Sequence, residues 1–150
     1  MISAAQLKKR VAGRNVLIDS NIIIYLTDSV DPYRHLAKDL FAMVEAGDAT
    51  AVISILSVGE VMQGPIRQGE YDLAMRVKEY LINFPNCQCQ EVTGTVLDRV
   101  GNDERIEWDG LRVVDSLIIA SGLFTGVDLF VSNDKHFQKA IPNPMLLSFD

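Results

Sequence analysis

Four acidic residues, Asp19, Glu60, Asp115 and Asp134, are set apart from the other acids of the chain by what surrounds them. Asp19 closes the apolar run Val16-Leu17-Ile18 and is followed by Ser20-Asn21 and a second apolar run. Asp134 follows Leu129-Phe130-Val131-Ser132-Asn133 in the same manner. Glu60 stands in the small-residue, apolar segment Ser54-Ile55-Leu56-Ser57-Val58-Gly59-Glu60. Asp115 is the one charge in Val113-Val114-Asp115-Ser116-Leu117-Ile118-Ile119-Ala120. A carboxylate desolvated among apolar side chains is costly unless it is paired or bound to a cation. Carboxylates gathered at one point repel one another, and a hard divalent cation with oxygen ligands, Mg²⁺ or Mn²⁺, relieves that repulsion. Each acid taken singly also has a plain structural reading. Asp19 could cap a helix, Glu60 could pair with Ser57 in a capping box, Asp134 could shape a turn, and Asp115 could favour a helix N-terminus. Four acids at equivalent topological places favour a shared site.

The elements that would position them follow from the hydrophobic pattern. Apolar runs at 16–19, 49–53, 87–92, 129–132 and 145–149 read as strands, the uninterrupted ones as strands buried on both faces. Between them lie helical patterns: a segment at 22–26 capped by Ser20 or Asn21, then one with Leu36, Leu40, Met43 and Val44 ended by Gly47. The segment 54–62 reads as a helix stopped by Gly64-Pro65, and 71–84 as a helix closed by Pro85. Thr93 caps the helix carrying Val96, Leu97 and Val100, 103–110 reads as a charged loop, and 111–124 is a mostly apolar helix with Gly126 beyond its end. Residues 1–14 are a weakly specified helix or arm. Strands alternating with helices imply βαβ units, hence an α/β fold with a parallel sheet covered by helices. In such folds ligands bind at the carboxyl edge of the sheet, where all four acids can meet.

At 150 residues, with 48% apolar and 23% charged side chains, the composition fits one globular domain over 1–150. No apolar run approaches the ~20 residues of a membrane span, and the first 14 residues lack the apolar core of a signal peptide, so a cytoplasmic protein is expected. The net charge of −6 argues against broad electrostatic binding to nucleic acid. It does not exclude a nucleic-acid enzyme, because divalent metals supply positive charge at an acidic site. Cys87 and Cys89 alternate with polar residues, so on a strand both face one way, and they are expected to be buried free thiols.

These motifs resemble the PIN-domain family of metal-dependent ribonucleases, which includes the VapC-type toxins of bacterial toxin–antitoxin pairs. The resemblance runs from Val16 to about Phe149. It is carried by Ile18-Asp19-Ser20-Asn21, the Glu60 segment, the Asp115 segment, and Val131-Ser132-Asn133-Asp134-Lys135-His136-Phe137. It implies a three-layer α/β/α fold with a mostly parallel sheet of four to five strands. It further implies that Asp19, Glu60, Asp115 and Asp134 form a catalytic site for one or two Mg²⁺ or Mn²⁺ ions, with Asn21 and Ser132 orienting the carboxylates or water. Ser132 stands where the family often has Thr, and Gly59 before the glutamate is less usual. The implied reaction is endonucleolytic hydrolysis of RNA phosphodiester bonds, with an antitoxin protein and a second copy of the chain as partners.

Arg112, Lys135 and His136 lie close enough to the motifs to touch substrate, and Lys8, Lys9, Arg10 and Arg14 could extend that path. Trp108 is expected to anchor its loop rather than to stack a base. Two rivals stand beside the nuclease. A catalytically silent module of the same fold would bind RNA or a protein without cutting it. A receiver-type phosphoacceptor would need a second acid beside Asp19 and a strand-end Asp in mid-chain, and the second apolar run ends instead at Ile53-Ser54.

Overall fold

Five short strands, β1 (Asn15–Ile18), β2 (Thr50–Ser54), β3 (Cys87–Gln90), β4 (Leu129–Val131) and β5 (Leu146–Leu147), form one sheet in the order β3-β2-β1-β4-β5 in the computed structural model, which describes residues 1–150. All four pairings are parallel, so the expected mostly parallel sheet is wholly so. The pleat sends alternate side chains of β1 to opposite faces. Val16 and Ile18 enter a large core with α1 (Ala4–Val11), α2 (Ser20–Thr27), α3 (Arg34–Glu45), α4 (Ile55–Arg67) and α5 (Tyr71–Ile82). Leu17 enters a smaller core on the other face with α7 (Val113–Phe124) and α8 (Lys135–Ala140). The short α6 (Gly94–Leu97), capped by Thr93 as expected, completes the helices of this three-layer α/β/α arrangement.

The chain moves outward from β1 through β2 to β3, then returns to place β4 on the other side of β1. In open α/β sheets the ligand crevice lies where the strand order reverses, here at the carboxyl ends of β1 and β4. It lies beside Asp19, the residue after β1, and Asp134, three residues past the end of β4. Asp19 and not Ser20 or Asn21 is the cap of α2: its side chain accepts from the Ser20 N–H at 2.8 Å.

Several boundaries differ from the sequence reading, for identifiable reasons. Residues 1–14 contain a well-formed helix, because Ser3 and Gln6 make a reciprocal capping box at its start. Ser54 rather than Ser57 caps α4, which places Glu60 in the body of the helix and frees it from a capping role. Pro65 does not stop α4. It sits in the last turn, where little helix remains to be disrupted, and the chain turns only at Gly69 with a φ of +73°. Of the strand expected at 145–149 only Leu146–Leu147 pair, as β5, directly after a 3₁₀ turn over Asn143–Met145. Arg10 donates to the Leu146 carbonyl at 3.2 Å, and Arg14 leads into β1 at its amino end, away from the crevice. Cys87 and Cys89 are free, half-buried and packed on the larger core, and burial pushes the Cys87 thiol up to about 12.

The close seating of α7 on the sheet depends on Gly122. A Cβ there would stand 2.5 Å from the Phe130 ring and 3.1 Å from Leu17 Cδ1. Gly59, by contrast, faces open space on α4. Gly122→Ala is therefore expected to cost about 1–3 kcal/mol of unfolding free energy through overpacking. Gly59→Ala should add roughly 0.5–1 kcal/mol through helix propensity. Chemical denaturation of the two variants checks this, and a stabilised Gly122→Ala would contradict the packing described.

Candidate functional site

The crevice is built around Asp19, which is 4% exposed although it carries an ionisable carboxyl. One of its oxygens takes the Ser20 N–H, and the other accepts the Ser132 hydroxyl at 2.7 Å. Ser132, the first residue after β4, is fully buried and also accepts the Asp134 N–H at 3.0 Å. A single hydroxyl thus ties the end of β1 to the turn that presents Asp134. Asn21 spans the same gap: its amide lies 3.4 Å from both Asp19 Oδ2 and Ser132 Oγ, and its carbonyl accepts the Asn133 N–H at 3.2 Å. Asn21 and Ser132 thus both contact the Asp19 carboxylate.

Burial raises Asp19 from the ordinary carboxylate value to about 6, with hydrogen bonds from Ser132 and Ser20 opposing the shift and repulsion from Glu60 and Asp134 adding to it. Glu60 projects from α4 to the open side of the crevice. Partial desolvation raises it, the Ser20 hydroxyl and Arg112 oppose the rise, and Asp115 and Asp134 reinforce it. Each of the four acids thus lies within electrostatic reach of at least one other, with Glu60 linking Asp115 and Asp134.

Asp115 comes from the first turn of α7 and is 3% exposed. Its charge is answered by Arg112, the residue just before that helix. The Arg112 guanidinium donates through Nε to Oδ2 at 2.9 Å and through Nη2 to Oδ1 at 3.0 Å, and Nη2 also lies 3.7 Å from Asp134 Oδ2. The pairing holds the Arg112 guanidinium above its ordinary pKa. Asp134 itself caps α8, accepting the His136 N–H at 2.7 Å, with the His136 ring Nδ1 at 3.0 Å from the same oxygen. Helix α8 was not anticipated; its signal was an Asp followed three residues later by Phe137, a start without a long apolar stripe to follow.

Of the expected substrate contacts, Lys135 is exposed and unpaired, whereas Arg112 and His136 are turned toward the acids. Trp108 is partly buried against the smaller core and donates its indole N–H to the Asp103 carbonyl at 3.1 Å, which anchors the loop at 103–110. The donor set suits a hard divalent cation: carboxylate oxygens, a positioned hydroxyl and one strongly desolvated acid. The four acids nonetheless do not stand as a ready-made cage of three or more ligands. The Arg112 guanidinium instead stands beside both Asp115 and Asp134.

The PIN domain family model matches residues 16–141, which takes in all four acids. No curated protein matches the chain. Among solved structures, a chain of the VapBC2 complex of Rickettsia felis, bound to a DNA fragment from its promoter, aligns with a TM-score of 0.62. Its sequence identity is 18%, over 91% of this chain and 99% of that one. Mycobacterium tuberculosis VapC20, a toxin that cleaves the sarcin–ricin loop, aligns with a TM-score of 0.61 at 18% identity, over 82% and 92%. A toxin–antitoxin complex from Klebsiella pneumoniae gives 0.60 at 19%, over 88% and 95%. At these identities the likeness is one of fold.

The pH dependence of stability follows from Asp19. Its folded-state value of about 6 exceeds the ordinary 3.8, so the folded chain binds this proton more tightly than the unfolded one. Ionisation of Asp19 then costs nothing below about pH 4, and its cost is complete above about pH 6. Without divalent ions, Asp19→Asn should raise unfolding free energy by on the order of 2–3 kcal/mol at pH 8. That gain should vanish toward pH 4. Thermal or denaturant unfolding at the two pH values checks it, and an Asn variant less stable than the native chain at pH 8 would contradict it.

Proposed function

The chain belongs to the PIN domain family, and from that premise we propose that it is a metal-dependent endoribonuclease serving as the toxin of a toxin–antitoxin pair. The observation that carries this reading is the convergence of Asp19, Glu60, Asp115 and Asp134 at the crevice between β1 and β4, two of them almost wholly buried. Asp19, Asp115 and Asp134 are the residues that would hold Mg²⁺ or Mn²⁺, with Glu60 at the open side. Such an ion, bound as one of a pair or alone, supplies a lowered water pKa and neutralises charge developing on a scissile phosphate. The chain's own groups do the rest. Ser132 and Asn21 fix the Asp19 carboxylate, so no reorganisation is needed when charge develops nearby. Glu60, raised by partial desolvation and open to solvent, would be the acid free to accept a proton from the attacking water. His136 holds the Asp134 carboxylate from outside, and exposed Lys135 is available to an RNA phosphate.

The toxin role draws on the fold shared with VapC20 and with the toxin–antitoxin complexes. The acidic crevice suits the insertion of a basic antitoxin segment. Helix α5 leaves Tyr71, Met75 and Ile82 exposed along one face, a surface for that antitoxin or for a second copy of the chain. No helix is long and apolar enough to cross a membrane, and free Cys87 and Cys89 suit the reducing cytoplasm. One observation favours a second reading, that of a silent RNA- or protein-binding module: Arg112 already neutralises Asp115.

Incubation of a structured RNA pool with Mn²⁺ or Mg²⁺ separates the two. The native chain should cleave it, EDTA should abolish cleavage, and Asp19→Asn and Asp115→Asn should each lower the rate by about 10²-fold or more. RNA left intact by a folded, ion-binding native chain would favour the silent module. Cleavage unchanged in both variants would overturn the assignment of the acids.

A further inference from the structure

We propose that Arg112 is an internal counter-cation that competes with a divalent ion for Asp115 and Asp134, so that the site is closed by its own guanidinium until an ion displaces it. The inference rests on the reading of this crevice as a divalent-ion site. Arg112 presents a bidentate face to Asp115, at 2.9 and 3.0 Å, and its backbone N–H points at Oδ2 from 3.3 Å. Three donors from one residue therefore answer a carboxylate that solvent barely reaches. The same guanidinium reaches toward Asp134, which brings the charges of two chain segments together through one cation. No lysine or other arginine pairs with any of the four acids.

The two partners differ in their freedom to move. The Asp115 side chain is 4% exposed and is fixed by the first turn of α7, whereas the Arg112 side chain is 63% exposed. Arg112 also lies outside the helix, with φ −72° and ψ 161°, so its arm can swing into solvent without disturbing α7. When an ion takes the Asp115 oxygens, the arginine is the partner that leaves. Planar bidentate geometry makes guanidinium a stronger competitor for a carboxylate than a lysine ammonium. The pair accordingly sets the concentration of divalent ion at which the site fills.

The test is Mn²⁺ binding to the full chain without RNA, read as free Mn²⁺ by electron paramagnetic resonance. Arg112→Ala should bind Mn²⁺ about tenfold more tightly than the native chain, a factor within reach of one partly buried charge-assisted pair. Arg112→Lys should fall between them. Lys135→Ala removes a neighbouring charge that makes no ion pair and should change affinity by less than about twofold. A second readout guards against general disruption: without divalent ions Arg112→Ala should melt below the native chain, and Mn²⁺ should raise its melting temperature by more than it raises the native one. Equal or weaker Mn²⁺ binding by Arg112→Ala overturns the competition while leaving the ion site intact. Equal tightening by Lys135→Ala overturns it in favour of bulk charge. Binding by neither the native chain nor Arg112→Ala overturns both the competition and the divalent-ion reading.

Discussion

A carboxylate at the end of a buried strand cannot retreat into solvent, and Asp19 is held in that position by the sheet itself. Its strand is central, β2 and β4 flank it, and the helices of both layers cover its faces. Water is replaced by a fixed set of donors: the Ser20 N–H, the Ser132 hydroxyl and, more distantly, the Asn21 amide. Those donors come from two strand ends, so satisfying this one charge also fixes where Asp134 stands. The reversal of strand order at β1 and β4 thereby becomes a chemical site and not only a topological feature.

The remaining acids add to a charge problem that the fold answers only in part. Hydrogen bonds leave Asp19 raised to about 6, and Glu60 is raised as well. The single cation in the cluster, Arg112, answers Asp115 fully and Asp134 weakly. The net charge of the crevice stays negative, in keeping with the −6 of the whole chain. A negative crevice attracts cations and basic segments and repels a bare polyanion. The proposed ion and antitoxin would therefore compete with Arg112 for the same carboxylates.

Much of this was legible in the residues. Unbroken apolar runs gave away the parallel strands, and a lone acid at the end of a run, or inside an apolar helix, marked Asp19, Asp134 and Asp115. What was not legible depended on registers and directions. The capping of α4 by Ser54 rather than Ser57 shifts Glu60 from a cap partner to the body of the helix, and spacing alone fits both frames. Pro65 signals a stop, but its cost depends on how much helix follows it. Gly122 carries no local mark; only the approach of Phe130 reveals why a side chain is excluded. Arg112 read as a substrate contact because its sequence position places it near the site, while its pairing with Asp115 depends on a side-chain direction that no pattern specifies.

Whether these carboxylates hold a divalent cation at the β1–β4 crevice is decided by anomalous diffraction from crystals of the native chain soaked in Mn²⁺. A peak is expected within about 2–2.5 Å of carboxylate oxygens of Asp19 and Asp115. Arg112 is then expected to have turned away from Asp115. A peak confined to other acids, or an empty crevice at saturating Mn²⁺ with the Arg112 pair intact, would contradict the divalent-ion reading.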